Sequence, residues 1–255
     1  MRRSIALLAL FAVAVIAACD HSVVAPVTVA NTTFVPSLGI NLANYTSTAD
    51  GLYYRDITVG TGAVALGYAG YLQSLRYARE RRQGRPLGDR RLREAPVPII
   101  EHADVRRMLL QQKAWVEGGL ALVLYCARLV DEVATGDDFE RERAGQLLDL
   151  LTPVAKSWPS QWCLAANDLA IQVHGGYGYT RDFPVEQYWR DNRLNMIHEG
   201  AHGIHGLDLL GRKVRQHDGA GLKLYAAKVA ATASRAAATA DFKAAGVQLE
   251  RALHD

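Results

Sequence analysis

The chain has 255 residues, about half hydrophobic and under a quarter charged, which is enough apolar material for a core and too little charge for a disordered chain. Its 29 basic and 26 acidic residues leave a net charge of +3, and the arginines are spread along periodic segments, so no nucleic-acid partner is implied. Three cysteines, at 19, 126 and 163, form no C-x-x-C pair and no disulfide framework; Cys126 and Cys163 lie in apolar helical surroundings and read as inert core thiols.

The opening "MRRSIALLALFAVAVIAACD" places two arginines before an apolar run from Ile5 to Ile16 and small residues before Cys19. It reads as a secretory signal, too short and wrongly flanked for a spanning helix. The "IAAC" ending resembles a bacterial lipobox, which implies lipidation of Cys19 and a lipoprotein on the outer side of the cytoplasmic membrane. If the N-terminal join is an artefact of how the reading frame was assembled, a cytoplasmic location is expected instead.

Residues 20–65 are rich in Val, Thr, Gly, Asn and Pro, with turn signals at Asp50-Gly51 and Gly60-Thr61-Gly62. They read as a linker followed by short strands, with Leu52 to Val59 the best strand candidate. The phrase "STADGLYYRDITVGTGAVA" resembles the opening of exported FKBP-type prolyl isomerases, although nothing after Ala65 continues that resemblance.

From Leu66 onward the pattern is helical. Leu66, Ala69, Leu72, Leu75 and Ala78 fall at helical spacing, and glycines and prolines then break the segment. A second helix is expected from His102 to Val133, stopped by Thr135-Gly136-Asp137. A third is expected from Arg141 to Val173, with kinks possible at Pro153 and Pro159 and an end at Gly175-Gly176. Val185 to Arg193, Gly200 to Val214 and an Ala-rich stretch from Gly221 to His254 complete the series. The fold class expected is mainly α: an antiparallel helix bundle over 66–214 with a short strand-containing N-terminal segment, and 215–255 as the start of a further helical region.

The phrases "PIIEHADVRRMLL", "LLDLLTPVAKSW" and, most specifically, "QVHGGYGYTRDFPVEQYWRD" followed by "IHEG" resemble the C-terminal all-helical domain of the acyl-CoA dehydrogenase family. The resemblance runs from about Leu66 to Val214. It implies FAD as cofactor, an acyl-CoA thioester as substrate, a homo-oligomer, and an electron-transfer flavoprotein as redox partner.

The resemblance also bears on "MIHEGAHGIHG", which can be read in two ways. His198, Glu199 and His202 spell H-E-x-x-H, a zinc pattern when both histidines share a helix. Gly200, Ala201 and Gly203 suit a loop entering a helix better. In the family, the glutamate of an apolar-x-Glu-Gly phrase is the catalytic base, and Glu199 falls on that position. It would take the proton α to the thioester carbonyl while the β hydride passes to N5 of FAD, and its backbone N–H would help hold the carbonyl oxygen. Arg81 and Gln172 match positions reaching the pyrophosphate and adenosine side of FAD in a neighbouring subunit, while Gly175 and Gly176 let backbone approach it. Asp182, Glu186, Arg190 and Asp191 read as a charge network about the short helix.

This chain departs from the family pattern in several places. The helical and β domains that usually precede this one are not recognisable, nor is the arginine expected just upstream of "LGYAGYL". Ala201 stands where a hydroxyl residue often follows Glu-Gly, and Gly84 where an aromatic is usual. The alternatives carried forward are a membrane-anchored helical interaction module without catalysis and an exported prolyl isomerase fragment.

Overall fold

A computed structural model describes residues 46–47, 53–54, 56–85 and 95–254. Two two-residue strands, β1 (Thr46–Ser47) and β2 (Tyr53–Tyr54), pair antiparallel with Thr46 opposite Tyr54. Seven α-helices follow: α1 (Asp56–Glu80), α2 (Ala103–Thr135), α3 (Asp138–His174), α4 (Val185–Leu194), α5 (His202–Gly211), α6 (Ala220–Ala237) and α7 (Lys243–His254). The signal segment and Cys19 lie outside the described residues.

The strand expected at Leu52 to Val59 is corrected. Among the described residues of this stretch, Tyr53–Tyr54 is extended, and from Asp56 the chain is already α1. An acidic residue in the first turn favours a helix start, and tertiary packing of the residues that follow outweighs the β-propensity of the Ile-Thr-Val run. The division expected between 65 and 66 falls inside this helix, with Ala63, Val64 and Gly67 buried on either side of it.

The face α1 buries also differs from the expected one. Leu72 is 51% exposed, whereas Ala63, Gly67, Gly70, Ser74 and Ala78 form the inner stripe. The reason is close approach. A Cβ added at Gly67 would stand 2.7 Å from Cys163 Cβ, and one at Gly70 2.4 Å from Asn167 Nδ2. Gly67 also faces Val116, and Gly119 faces Val64, so α1 runs antiparallel to α2 and parallel to α3.

Helices α2 and α3 form a hairpin whose turn is set locally. Asp137 accepts from the Glu140 N–H while the Glu140 carboxylate accepts from the Asp137 N–H, a complete capping box. The helix α3 continues through Pro153 and Pro159, both buried. One apolar cluster joins α1, α2 and α3 through Val64, Tyr71, Val116 and Cys163; a second joins α2 and α3 through Cys126, Leu129, Leu147 and Leu151, with Leu224 of α6 against it. Burial pushes the Cys126 thiol up to about 11 and the Cys163 thiol up to about 12, which keeps both protonated and unreactive, as the sequence suggests.

The Ala-rich stretch is two helices, not the single one expected. Thr239 is extended (φ −101°, ψ 125°) and a 3-10 turn, Ala240–Phe242, reverses the chain. The hairpin closes tightly because Gly246 lacks a side chain: a Cβ there would meet the Ala237 nitrogen at 2.4 Å. Among the described residues, no helix is long and apolar enough to cross a membrane.

Candidate functional site

Glu199 sits on the turn between α4 and α5, in a backbone conformation few side chains adopt. Its φ is 57°, and that of Gly200 is 101°. Left-handed backbone at a glutamate costs energy and persists only where the surroundings hold it. The carboxylate atom Oε2 is buried without a partner among the described residues.

The supports of this turn come from both directions along the chain. Ahead of it, Asn167 Nδ2 donates to the Leu66 carbonyl (2.9 Å), Asn192 Nδ2 donates to Asn167 Oδ1 (2.7 Å) and to the Ala63 carbonyl (3.2 Å), and Asn195 Nδ2 donates to Asn192 Oδ1 (2.9 Å). This buried relay ties the end of α4 to α1 and α3. Lys156, 1% exposed, donates from Nζ to the Asn195 carbonyl. Behind the turn, His202 Nδ1 and Ser157 Oγ share a hydrogen bond, and His205 Nε2 lies 3.1 Å from the Gly200 carbonyl oxygen. Burial, then the positive charges of Lys156, His205 and Arg193, hold the His202 imidazole below its ordinary pKa.

The helix that H-E-x-x-H requires is interrupted. His198 belongs to the turn, with Nδ1 2.9 Å from the Leu194 carbonyl oxygen, and α5 begins only at His202. Left-handed Glu199 and Gly200 lie between the two histidines, so they are not stacked on one helical face. Ala201 is the N-cap of α5 and supplies no side-chain bond there, whereas the hydroxyl expected at this position would be suited to cap the helix.

Arg81, Gln172, Gly175 and Gly176 gather at the other end of the bundle. The Arg81 guanidinium lies over the Tyr177 ring at 5.7 Å, and its Nε is buried without a partner among the described residues. Gly175, φ 61° and ψ −141°, ends α3 by donating its N–H to the Gln172 carbonyl and opens the 3-10 turn Gly175–Tyr179. A Cβ on either Gly175 or Gly176 would meet nothing within 4 Å. The Gln172 side chain is exposed. Tyr77, stacked on His174 at 4.3 Å, and Phe183, 5.1 Å from His174, fix the turn against α1.

After α1 the backbone is pinned by Ile99 N–H donating to the Arg81 carbonyl and Gln83 N–H donating to the Val97 carbonyl. Gly84 has φ +70° and the His102 ring 3.3 Å from where a Cβ would stand, so an aromatic residue there would be strained and would press on the His102 ring. Of the network expected around α4, Arg190 pairs with Glu186 at 3.2 Å, while Asp191 accepts from Gln187 and Asp182 binds Thr180.

The two ends are far apart. Ser157 lies beside the Glu199 turn and His174 beside Arg81, and at 1.5 Å per helical residue they are separated by about 25 Å along α3. One chain therefore presents a carboxylate with one buried oxygen in one region and a cationic, glycine-lined surface about 25 Å away. The latter fits an anionic diphosphate: a guanidinium with an unsatisfied buried N–H, beside backbone no side chain shields. Lys156, Ser157, Asn192 and Asn195 were not singled out from the sequence as functional residues. Their signal was polar residues on buried faces, Lys156 in step with Pro153, Ser160, Cys163 and Asn167 along the inner stripe of α3.

The family model described as "Acyl-CoA dehydrogenase, C-terminal domain" matches residues 46–214. The 3-methylmercaptopropionyl-CoA dehydrogenase of Ruegeria pomeroyi is 38% identical over 174 residues, 68% of this chain and 29% of that protein. The broad-specificity linear acyl-CoA dehydrogenase FadE5 of Mycobacterium tuberculosis is 36% identical over 202 residues, 77% of this chain and 33% of that protein. Among solved structures, a nitroalkane oxidase superposes with a TM-score of 0.53 at 16% identity, covering 66% of this chain and 35% of that one. The butyryl-CoA dehydrogenase of Megasphaera elsdenii does so with a TM-score of 0.50 at 23% identity, covering 63% and 36%. Both likenesses are of fold. This chain spans about a third of the length of the two enzymes matched in sequence. With the helix order, the His-Gly-Gly turn and the Glu-Gly turn in place, the chain belongs to the acyl-CoA dehydrogenase family, matching that family's C-terminal domain.

Proposed function

We propose that this chain is the catalytic helical portion of a flavin-dependent enzyme that dehydrogenates acyl-CoA thioesters between Cα and Cβ. The observation that carries the reading is the Glu199 carboxylate, with one oxygen buried and unpartnered on a strained turn that a merely structural glutamate would not need. Glu199 accepts the α proton as the general base. Bound FAD supplies the hydride acceptor. Arg81, Gln172, Gly175 and Gly176 hold its diphosphate and adenosine side. In the family resembled, the matching positions reach the cofactor of a neighbouring subunit; here they would likewise serve a second subunit's cofactor, and their separation of about 25 Å along α3 from the Glu199 turn accords with that division. A homo-oligomer follows from that arrangement, and an electron-transfer flavoprotein is the partner that reoxidises the pair.

The test complements this chain with the N-terminal portion of the Ruegeria relative and follows flavin absorbance during anaerobic acyl-CoA addition. Glu199→Gln keeps size and hydrogen bonding but cannot take the proton, so bleaching should slow by roughly 10²–10⁴-fold with flavin content unchanged. His198→Ala should cost far less. Unaltered bleaching in Glu199→Gln removes Glu199 as the base.

We propose further that Cys19 is lipidated and anchors the chain to the outer side of the cytoplasmic membrane. The support is the charge, length and small-residue exit of the leading segment. Expressed in a bacterium, the protein should enter a detergent phase, each buried methylene contributing about 0.8 kcal/mol, and Cys19→Ser should remain in the aqueous phase. Equal partitioning of the two removes the anchor.

A further inference from the structure

We propose that Lys156 and Ser157, consecutive residues of α3, are positioning residues that hold Glu199 in its left-handed conformation by fixing the backbone on both sides of it. Lys156 donates to the Asn195 carbonyl, four residues before Glu199, and Ser157 bonds the His202 ring, three residues after it. One turn of one helix therefore clamps both flanks of a segment whose two central residues have φ values of 57° and 101°. Nothing in local sequence favours that backbone at a glutamate, so it must be imposed from outside the turn.

The placement of the clamp supports this reading. Lys156 is 1% exposed, and a lysine is brought fully out of water only at high cost, so its position on the inner stripe of α3 in place of an apolar residue calls for a specific role. The ammonium also stands close enough to His202 to oppose its protonation, which keeps that ring neutral and bonded to Ser157. The asparagine relay Asn167–Asn192–Asn195 delivers the Asn195 carbonyl to Lys156 from the α1 side, so the clamp closes on an element that is itself fixed. The turn's own bonds hold its start, with the Asn195, Met196, Ile197 and His198 N–H groups donating back to the Asn192, Arg193 and Leu194 carbonyls and the His198 ring beside the Leu194 carbonyl, while His205 meets the Gly200 carbonyl from α5.

That Glu199 accepts a proton is the reading given above, and the clamp bears on it because a base must be held within a fraction of an ångström of the bond it breaks. The clamp is tested without activity. In the full-length, isotope-labelled wild type, the Lys156 Nζ protons should exchange slowly and show through-bond coupling to the Asn195 carbonyl carbon; absence of both overturns the proposal whether or not any variant folds. Lys156→Met keeps the stem and removes the ammonium. In it, the Ile197 and His198 amides should exchange about tenfold faster or more, while the Val116 and Val123 amides in α2 keep their protection. Ser157→Ala should loosen the 200–202 side selectively, and Lys156→Arg should restore part of the loss. If the α2 amides lose protection together with the turn, Lys156 supports the core in general and the clamp is refuted. Unchanged exchange at Ile197 and His198 refutes it equally. The Glu199→Gln bleaching experiment can fail with the clamp intact, and the exchange experiment can fail with Glu199 still the base.

Discussion

His174 closes α3 with its ring stacked on Tyr77, Nδ1 2.7 Å from the Ala170 carbonyl oxygen, and Nε2 buried without a partner among the described residues. Burial holds its pKa below the ordinary value, and the Ala170 carbonyl, acting the other way, offsets this only in part. The native state therefore binds fewer protons than the unfolded chain once pH falls through about 6.5, and stability declines from there down to the depressed folded pKa. His202 acts in the same direction. The urea midpoint of wild type should drop between about pH 7.5 and about pH 5.5, and His174→Gln should show a shallower drop; parallel pH profiles would remove His174 from the account. At this scale the sequence points to residues set in a recognisable motif. Glu199 precedes a glycine in a specific phrase, and Gly175-Gly176 follow a long helix. Lys156 and Asn167 were illegible because a polar residue on a buried stripe differs from a solvated one only through partners supplied by distant segments, here Asn195 and Leu66.

Helices were legible where side-chain size and burial agree, and misread where they do not. In α2, Met108, Leu109 and Leu129, large apolar residues at helical spacing, are buried. In α1 the residues in closest approach to α3 are among the smallest, which carry little hydrophobic signal, while Leu72 points outward. The difference is measurable because glycines in equivalent helical settings have opposite surroundings. Gly70→Ala places a Cβ 2.4 Å from Asn167 Nδ2 in a bonded relay, at a cost of about 1–3 kcal/mol against a helix-propensity gain of about 1 kcal/mol. Gly145→Ala in α3 meets nothing within 4 Å and should stabilise by about 0.5–1 kcal/mol. Urea midpoints should move in opposite directions, and a stabilised Gly70→Ala would contradict the close packing of α1 on α3. The break between α6 and α7 escaped periodicity for a related reason: alanine suits both sides of the bend, and the reversal depends on Gly246 meeting Ala237 across the hairpin.

The mainly helical bundle was legible in the sequence, since long periodic segments and short turns leave few other ways to bury the apolar faces. The separation of the two candidate regions was not, because residues 172–176 and 199 are near neighbours in the chain, yet the former sit at the C-terminal end of α3 and the latter beside its middle. The family match ends at residue 214, and the α6–α7 hairpin beyond it is attached chiefly along α3 through α6. The helix α3 joins the two regions, carrying Lys156 and Ser157 near its middle and Gln172 in its last turn, just before the Gly175 cap. Each residue in it advances about 1.5 Å and turns about 100°. A substitution between Ser157 and Gln172 can be absorbed locally, but a one-residue insertion would swing the glycine turn about a quarter revolution away from Arg81 while leaving Glu199 where it was. The number of residues in this interval, more than their identity, sets the phase between the proposed base beside one part of the helix and the proposed cofactor surface at its C-terminus.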